Sequence, residues 1–478
     1  MQLIFEKSHP GRRAITLDPL DVPEASLPDE LRREEAAALP EVSELEVVRH
    51  FTKLSQRNFG IDTHFYPLGS CTMKYNPKMA ESVAADGNFA KLHPHLASVG
   101  PYQRLCQGAF EVIHELENCL AEVAGMAAAS LQPIAGAHGE LTGTLLISAY
   151  HRAKGNQKDT ILIPDSAHGT NPASAAIAGY TVVEVPSLPD GTLDVDAFKE
   201  ALTDSVAGVM LTCPNTHGLF EPAVADIAAM AHEVDALMYY DGANLNAIVG
   251  RCRPGDLGFD VMHYNLHKTF ATPHGMGGPG SGPVGVAEKL VPFLPGPRVH
   301  AEGEGYELVW PEQSIGRIAP YFGNFMIALR AHAYILHLGA EGLRDVADKA
   351  VLNANYVHAR LKGALKSAFD GRFMHECVFS AAPLAKEHGV HALDIAKALL
   401  DTGFHAPTVY FPLTVKESLM IEPTETESKE ILDAFCEAML DIARRAKEDP
   451  ESLHAAPIST PVGRLDEVRA AKELNCTF

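Results

Sequence analysis

Four apolar runs of strand length, separated by stretches of helical texture, constrain this chain more than any other feature. They are TILIPD (160–165), TVVEVP (181–186), VAGVMLTCP (206–214) and ALMYYDGA (236–243). A half-exposed strand alternates apolar and polar residues, whereas a strand buried on both faces reads as a near-continuous apolar run. Helix-like segments such as EPAVADIAAMAHEVD (221–235) lie between the runs. This alternation predicts an α/β fold whose large, mostly parallel sheet carries helices on both faces. In such a sheet, functional side chains gather just beyond the carboxyl ends of the strands.

The flanks have a different texture. Residues 1–100 read as an N-terminal arm, broken by Pro19, Pro23, Pro28 and Pro40 and ending in the turn-rich FYPLGSCTMKYNPKM (65–79). With little apolar periodicity of its own, that segment is expected to wrap a neighbouring surface of the same chain or of another subunit. Residues 101–325 hold the large domain. The stretch 325–365 reads as two long helices punctuated near Gly339 and Gly342. Residues 326–478 also hold a smaller C-terminal α/β domain: a strand in VFSAAPLA (378–385), a helix over 391–403, strands in 404–413 and 418–425, a helix over 428–447, and a charged tail from Glu448.

Composition narrows the function classes. The chain has 478 residues, 46% apolar and 21% charged, which excludes disordered and collagen-like architectures. Its 39 Lys+Arg against 61 Asp+Glu give a net charge of −22, which disfavours nucleic acid as a partner. The opening MQLIFEKSHPGRRA carries no apolar core of a signal peptide, and no apolar run reaches the length of a membrane span. Eight cysteines at irregular spacings, without a CxxC, fit free thiols in a reducing cytoplasm. Cys71, in a Gly/Ser loop, is the one open to reactivity.

Four features then fall in order along the α/β segment. The stretch SLQPIAGAHGELTG (130–143) reads as strand, Gly-containing turn and helix, so the N–H groups of Gly136, Ala137 and His138 could receive a phosphate. His168, in ILIPDSAHGTNPASA (161–175), follows a strand and could stack on a flat ring. Asp241 closes an apolar run, and a buried acid there needs a partner such as a protonated pyridine nitrogen. Lys268, in HYNLHKTFATPHGMGGPGSGPVG (263–285), sits among aromatics and histidines, a setting suited to imine chemistry. Between them, Asn215 and Thr216 in TCPNTHGLFE (212–221) stand at another strand end, able to bond a cofactor's phenolic oxygen or a substrate. Singly, each has a bland reading: a plain βα turn, a loop histidine, a helix-capping acid, a surface lysine. GMGGPG (275–280) has nicotinamide-like GxGxxG spacing, but it does not open a helix within a βαβ unit.

The four features in this order resemble the aminotransferase-like (fold type I) pyridoxal-phosphate enzymes. Longer motifs sharpen the resemblance: IFEKSHPGRRA, HFYPLGSCTMKYNPK (64–78), QPIAGAHGELTG (132–143), DSAHGTNPASA (165–175), CPNTHGLFE, MYYDGANLNAIVG (238–250), LNANYVHARL (352–361), FHAPTVYFP (404–412) and IEPTETES (421–428). They are similar, over almost the whole chain, to glycine dehydrogenase (decarboxylating), the P-protein of the glycine cleavage system, and specifically to the cofactor-bearing half of its two-subunit form.

The resemblance implies pyridoxal 5'-phosphate as cofactor, Lys268 as its Schiff-base lysine, Asp241 as the acid at the pyridine nitrogen and His168 as the stacking histidine. It implies that glycine is decarboxylated and its aminomethyl group passed to the lipoyl arm of H-protein. It also implies a homologous, cofactor-free subunit 1, in a heterotetramer of paired heterodimers. Position 138 is His where some members carry Gln, so its side chain is given no stacking role. His267 is expected near the cofactor, and no metal is expected. For the carboxylate clamp and the base the candidates stay open: His267, Thr269, His274, Ser70, Cys71 and Lys74. A basic patch for H-protein is expected around Lys74 and Lys78. The alternatives are another pyridoxal-phosphate enzyme, such as an amino acid decarboxylase or a desulfurase, and a non-catalytic scaffold.

Overall fold

The computed structural model describes residues 2–35, 37–274 and 280–475. The Gly-rich run singled out above therefore lies, save for Gly280, outside the described residues. The large sheet has seven strands: β1 (Ala128–Ser130), β2 (Thr160–Pro164), β3 (Thr181–Val185), β4 (Val206–Thr212), β5 (Leu237–Gly242), β6 (Val261–Tyr264) and β7 (Val284–Val286), in the order β1-β7-β6-β5-β4-β2-β3. The β2 to β6 pairs are parallel, and β7 runs antiparallel to β6 and β1.

The apolar runs have a direct cause in β5. Met238 and Tyr240 feed the core on one face, with the helices Gln107–Ala124 and Val224–Glu233. Leu237 and Tyr239 feed the core on the other, with the helices Gly136–Lys154 and Thr170–Ile177. Both faces are covered, so no position is free to be polar until the strand ends. β3 departs from the expectation of a buried strand: it is the sheet edge, and Val185 alone of its five residues is buried.

A hairpin of β8 (Arg298–Glu302) and β9 (Gly305–Val309) leads to the helical stretch Phe325–Leu361, two helices meeting at a kink as the sequence led one to expect. Its break is a single residue, Gly339, at φ 62°. The C-terminal part is a four-stranded antiparallel sheet of β10 (Lys366–Ser367), β11 (Cys377–Ser380), β12 (Thr408–Val409) and β13 (Ser418–Ile421), in the order β10-β11-β13-β12. The expected strand over 378–385 stops at Ser380, because Pro383 sits in the first turn of a helix, Ala382–His388. The helices Ala392–Leu400 and Lys429–Glu448 contribute Ile395, Leu399, Phe435 and Met439 to this sheet's core.

The arm's surface is on its own chain. Leu68 bridges Ile421 in antiparallel fashion, the Glu422 N–H donates to Pro67 O at 3.2 Å, and the Thr408 hydroxyl donates to Gly69 O at 2.8 Å. Gly69 permits this approach, since a Cβ there would lie 2.2 Å from Met420 Cγ. Phe65 enters the small core. The earlier arm is bare by contrast: Ile15, Leu17 and Leu20 are 73%, 82% and 69% exposed.

Candidate active site

The site grows from the ends of the central strands. Asp241, next to last in β5, pairs in register with Thr212 of β4 and His263 of β6. It is buried, accepting from the Ala243 N–H at 3.0 Å and from Asn171 Nδ2 and the Thr212 hydroxyl at 3.2 Å each. Burial opposes its charge. The imidazole of His263, 3.5 Å away, the Ala243 N–H, the Lys268 ammonium and the Asn171 amide overcome it, holding the carboxyl below its usual range. Burial pushes His263 itself down to about 4, against the pull of Asp241. Its Nδ1 lies 2.7 Å from the Tyr239 hydroxyl.

Lys268 lies four residues beyond β6. It is half-buried, and Nζ donates to the Ser70 carbonyl at 2.7 Å, so the arm loop closes over the strand ends. Its charge acts on Asp241, His168 and Glu140, which brings the predicted lysine, acid and histidine into one neighbourhood. His168 is exposed, with its ring edge-on to Phe411 at 5.9 Å and Nδ1 2.9 Å from the Thr170 hydroxyl. Thr170 in turn donates to Glu140 at 2.8 Å.

Gly136 and Ala137 open the helix Gly136–Lys154, whose N-terminus has no side-chain cap. Its first N–H groups have no acceptor within the helix and face outward for an anion. A Cβ on Gly136 would meet Asn265 Oδ1 at 2.5 Å, so the glycine is what lets this turn approach the β6 end. The His138 ring turns back, with Nδ1 accepting from the Ile134 N–H at 3.2 Å, as suits a residue given no stacking role.

Asn215 and Thr216 are nearby but occupied. The Asn215 amide donates to Gly191 O and accepts from the His217 and Leu219 N–H groups. Thr216 donates to the Ser166 carbonyl. Both side chains shape the loop after β4.

Around Lys268 lie buried polar atoms without a hydrogen-bond partner among the described residues: His267 Nδ1, His274 Nε2 and Thr269 Oγ1, with Asn171 Oδ1 beside Asp241. Burial and the Lys268 charge push His267, with His274 beside it, to about 3 and His274 to about 4. Neutral imidazoles and a hydroxyl left unsatisfied in one place mark a site built to bond a polar ligand. The residues present would suit a flat phosphorylated group, with an uncapped helix N-terminus at Gly136–Ala137 for the phosphate, a buried carboxylate at Asp241 for a protonated ring nitrogen, an imidazole at His168 for the ring face and an amine at Lys268 for an aldehyde.

Two expectations for the arm loop need correction. Lys74 cannot serve in a docking patch: its side chain has no exposure, and Nζ is spent on Glu425 at 2.6 Å, Thr269 O at 2.8 Å and the Tyr334 hydroxyl at 3.3 Å. Lys78 is exposed but paired with Asp62 at 2.7 Å. Cys71 is no activated thiolate, since burial pushes its pKa up against the pull of Lys268.

Sequence reasoning missed Glu140, Asn171, His375, Glu376 and Glu422. Burial and the Asp241 charge push Glu140 to about 8, making it a neutral acid at pH 7. The available signals were Asn171 in the quoted DSAHGTNPASA, and acids abutting apolar runs in HECVFS and MIEPTE, the pattern that exposed Asp241.

Known proteins share this fold. The family "Aminotransferase class-V" matches residues 106–310, and "Glycine dehydrogenase, C-terminal domain" matches 346–457. A "Probable glycine dehydrogenase (decarboxylating) subunit 2" from Caldanaerobacter subterraneus subsp. tengcongensis is 55% identical, over 98% of this chain and 97% of that protein. Proteins of the same name from Thermotoga maritima (52%; 98% and 98%) and Methylococcus capsulatus (54%; 98% and 97%) are similarly close. Among solved structures, an inhibitor-bound glycine decarboxylase (P-protein) of the glycine cleavage system superposes with a TM-score of 0.73 at 23% identity, covering 87% of this chain and 93% of that one. A sphingosine-1-phosphate lyase from Burkholderia pseudomallei gives 0.62 at 15%, covering 91% and 94%. The strand-end site and these full-length likenesses lead to one conclusion: the chain belongs to the glycine dehydrogenase (decarboxylating) subunit 2 family, on the aminotransferase-like fold of pyridoxal-phosphate enzymes.

Proposed function

We propose that this chain binds pyridoxal phosphate covalently through Lys268 and, as the catalytic subunit of glycine dehydrogenase, releases CO2 from glycine and delivers the aminomethyl group to the lipoyl disulfide of H-protein. Reduction of that disulfide accounts for the "dehydrogenase" in the family name. The observation that carries the reading is the joining of Lys268, Asp241 and His168 at the carboxyl ends of β5 and β6 and the strand–helix turn after β2, beneath an uncapped helix N-terminus.

The bound cofactor supplies an electron sink for the electrons of the broken carbon–carboxylate bond. The chain's own residues do the rest. Asp241, held ionised by the Ala243 N–H and Asn171, keeps a proton on the atom facing it. Glu140, neutral at pH 7, leaves Asp241 as the local negative charge. The first turn of Gly136–Lys154 orients the phosphate, and His168 bounds the ring. Lys268 is aligned by the Ser70 carbonyl. The Thr269 hydroxyl offers a neutral donor for the glycine carboxylate, a weak hold suited to a group that must depart as uncharged CO2, while the neutral His267 and His274, whose single N–H is taken by the backbone at Ser281 and at Cys71 and Thr72, turn an acceptor nitrogen to the site.

A subunit 1 fits the bare apolar arm, where Ile15, Leu17, Leu20, Leu27 and Leu39 are exposed and suited to cover by a second chain, in paired heterodimers. A cytoplasmic setting fits the free cysteines among the described residues. The test is release of labelled CO2 from carboxyl-labelled glycine by the chain with subunit 1 and lipoylated H-protein. The complete system turns over, Lys268→Ala does not, and the chain alone is slow. Turnover by Lys268→Ala would defeat the reading.

A further inference from the structure

A cluster without a role so far lies beneath the arm loop. His375, Glu376 and Glu422 have no exposure, and a ligand atom from each lies within 4.8 Å of the others. Glu376 precedes β11 and Glu422 follows β13, strands paired at Cys377 and Ile421, so the two carboxyls leave the small sheet side by side. Each grips one residue of the loop. Glu376 accepts from the Ser70 N–H at 2.7 Å and from its hydroxyl at 3.4 Å. Glu422 accepts from the Thr72 N–H at 2.9 Å, from its hydroxyl at 2.5 Å and from Asn246 Nδ2 at 3.3 Å. Ser70 and Thr72 are both left-handed, at φ 59° and 48°, a conformation that such residues keep where the surroundings hold it. The Ser70 carbonyl is the acceptor for Lys268 Nζ.

Charge decides what the pair can be. Two carboxyls this close in a dry interior do not both ionise, and the single charge left needs a counter-charge. His375 Nε2 lies 3.6 Å from Glu376 Oε1 but does not provide it: burial and Lys268 push the ring to about 3, and neither nitrogen has a hydrogen-bond partner among the described residues. His274 is held near 4, and the Cys71 thiol between the two grips is pushed up by burial, so both are neutral. The cation that acts on both carboxyls is Lys268, whose charge also acts on Asp241 and Glu140.

We propose that Glu376 and Glu422 are positioning residues for Lys268: through Ser70 and Thr72 they hold the Ser70 carbonyl on Nζ, and by sharing one proton they present a single negative charge to that lysine. Either glutamate alone can carry that charge, and an amide oxygen in place of the other still accepts from the loop. One substitution to glutamine therefore preserves the field at Lys268, and two abolish it.

The inference rests on Lys268 as cofactor anchor for its catalytic meaning only. It is read on the cofactor-free full chain, so failure to take up pyridoxal phosphate would leave its outcome standing. The experiment is trace acetylation at pH 8, quantified on the Lys268 peptide by mass spectrometry, with exposed Lys53 as internal reference and circular dichroism as a check on folding. Glu376→Gln and Glu422→Gln should each label within about twofold of wild type. The double variant should label about tenfold faster, the effect of losing one nearby opposite charge. A folded double variant at the wild-type rate, or single variants as fast as the double, would overturn the proposal. Infrared difference spectra of the single variants give a second reading that does not need the double variant to fold. Wild type minus either should show one protonated carboxylic carbonyl lost at neutral pH, and its persistence in both would overturn the shared proton.

Discussion

Substituting Lys74 tests whether the arm loop is part of the active-site wall or a docking surface. Lys74→Ala removes an unexposed ammonium together with bonds to Glu425, Thr269 O and Tyr334, and leaves Glu425, 7% exposed, as a buried charge whose Oε2 already lacks a hydrogen-bond partner among the described residues. Breaking one side of a buried pair costs about 3–5 kcal/mol, against about 0–1 kcal/mol for a surface pair. Thr269 adjoins Lys268, so the loss also loosens the lysine's surroundings. Urea unfolding of Lys74→Ala should show destabilisation of about 3–5 kcal/mol, and Lys74→Met/Glu425→Leu should regain most of it by leaving no uncompensated charge. A loss below about 1 kcal/mol, with a salt-dependent rise in KM for H-protein, would refute the burial argument and restore the docking role.

Other consequences are directly measurable. Asp241→Asn should retain the fold and bound cofactor but lose about a hundredfold or more in kcat, as expected on removing a preorganised charge at the reacting system; near-normal kcat would remove Asp241 from its role. Gly136→Ala, whose Cβ would strike Asn265, should weaken pyridoxal phosphate binding about tenfold in fluorescence titration, with a smaller change in kcat at saturating cofactor; unchanged affinity would place the phosphate elsewhere. Glu117, pushed to about 7 by burial against Arg298 and the Leu131 N–H, binds its proton more tightly when folded than when unfolded. The native state thus holds more protons between about pH 4.5 and 7, and that contribution to stability falls as pH rises through the window. The thermal midpoint of Glu117→Gln relative to wild type should therefore rise over that range, and a flat difference would contradict the raised pKa.

Much of the large domain was legible because burial on both sheet faces forces continuous apolar runs, as in β4 and β5. β6 and β7 were not: VMHY and VGV are too short to show a pattern, and His263 interrupts the apolar series of β6 for the sake of Asp241; β1 showed only through the turn and helix that follow it. Asp241, His168 and Lys268 stood out because each breaks local texture at a strand end. Glu376 and Glu422 did not, since the loop residues they grip lie 306 and 350 positions away, a relation no local window contains. The same limit hid Lys74, whose basic context suggested solvent until Glu425 and Tyr334 closed over it. Asn215 and Thr216 show another limit: residues capable of cofactor chemistry at a strand end are equally capable of folding a loop, as their hydrogen bonds to Gly191, His217, Leu219 and Ser166 illustrate.

The central claim is that Lys268 carries pyridoxal phosphate. The most direct measurement is the visible spectrum after adding the cofactor, followed by borohydride reduction and peptide mapping. The account predicts a visible band that reduction removes, with the pyridoxyl mass on the peptide containing Lys268. No band, or a label on another lysine, would contradict it and make the non-catalytic scaffold the better description of the chain.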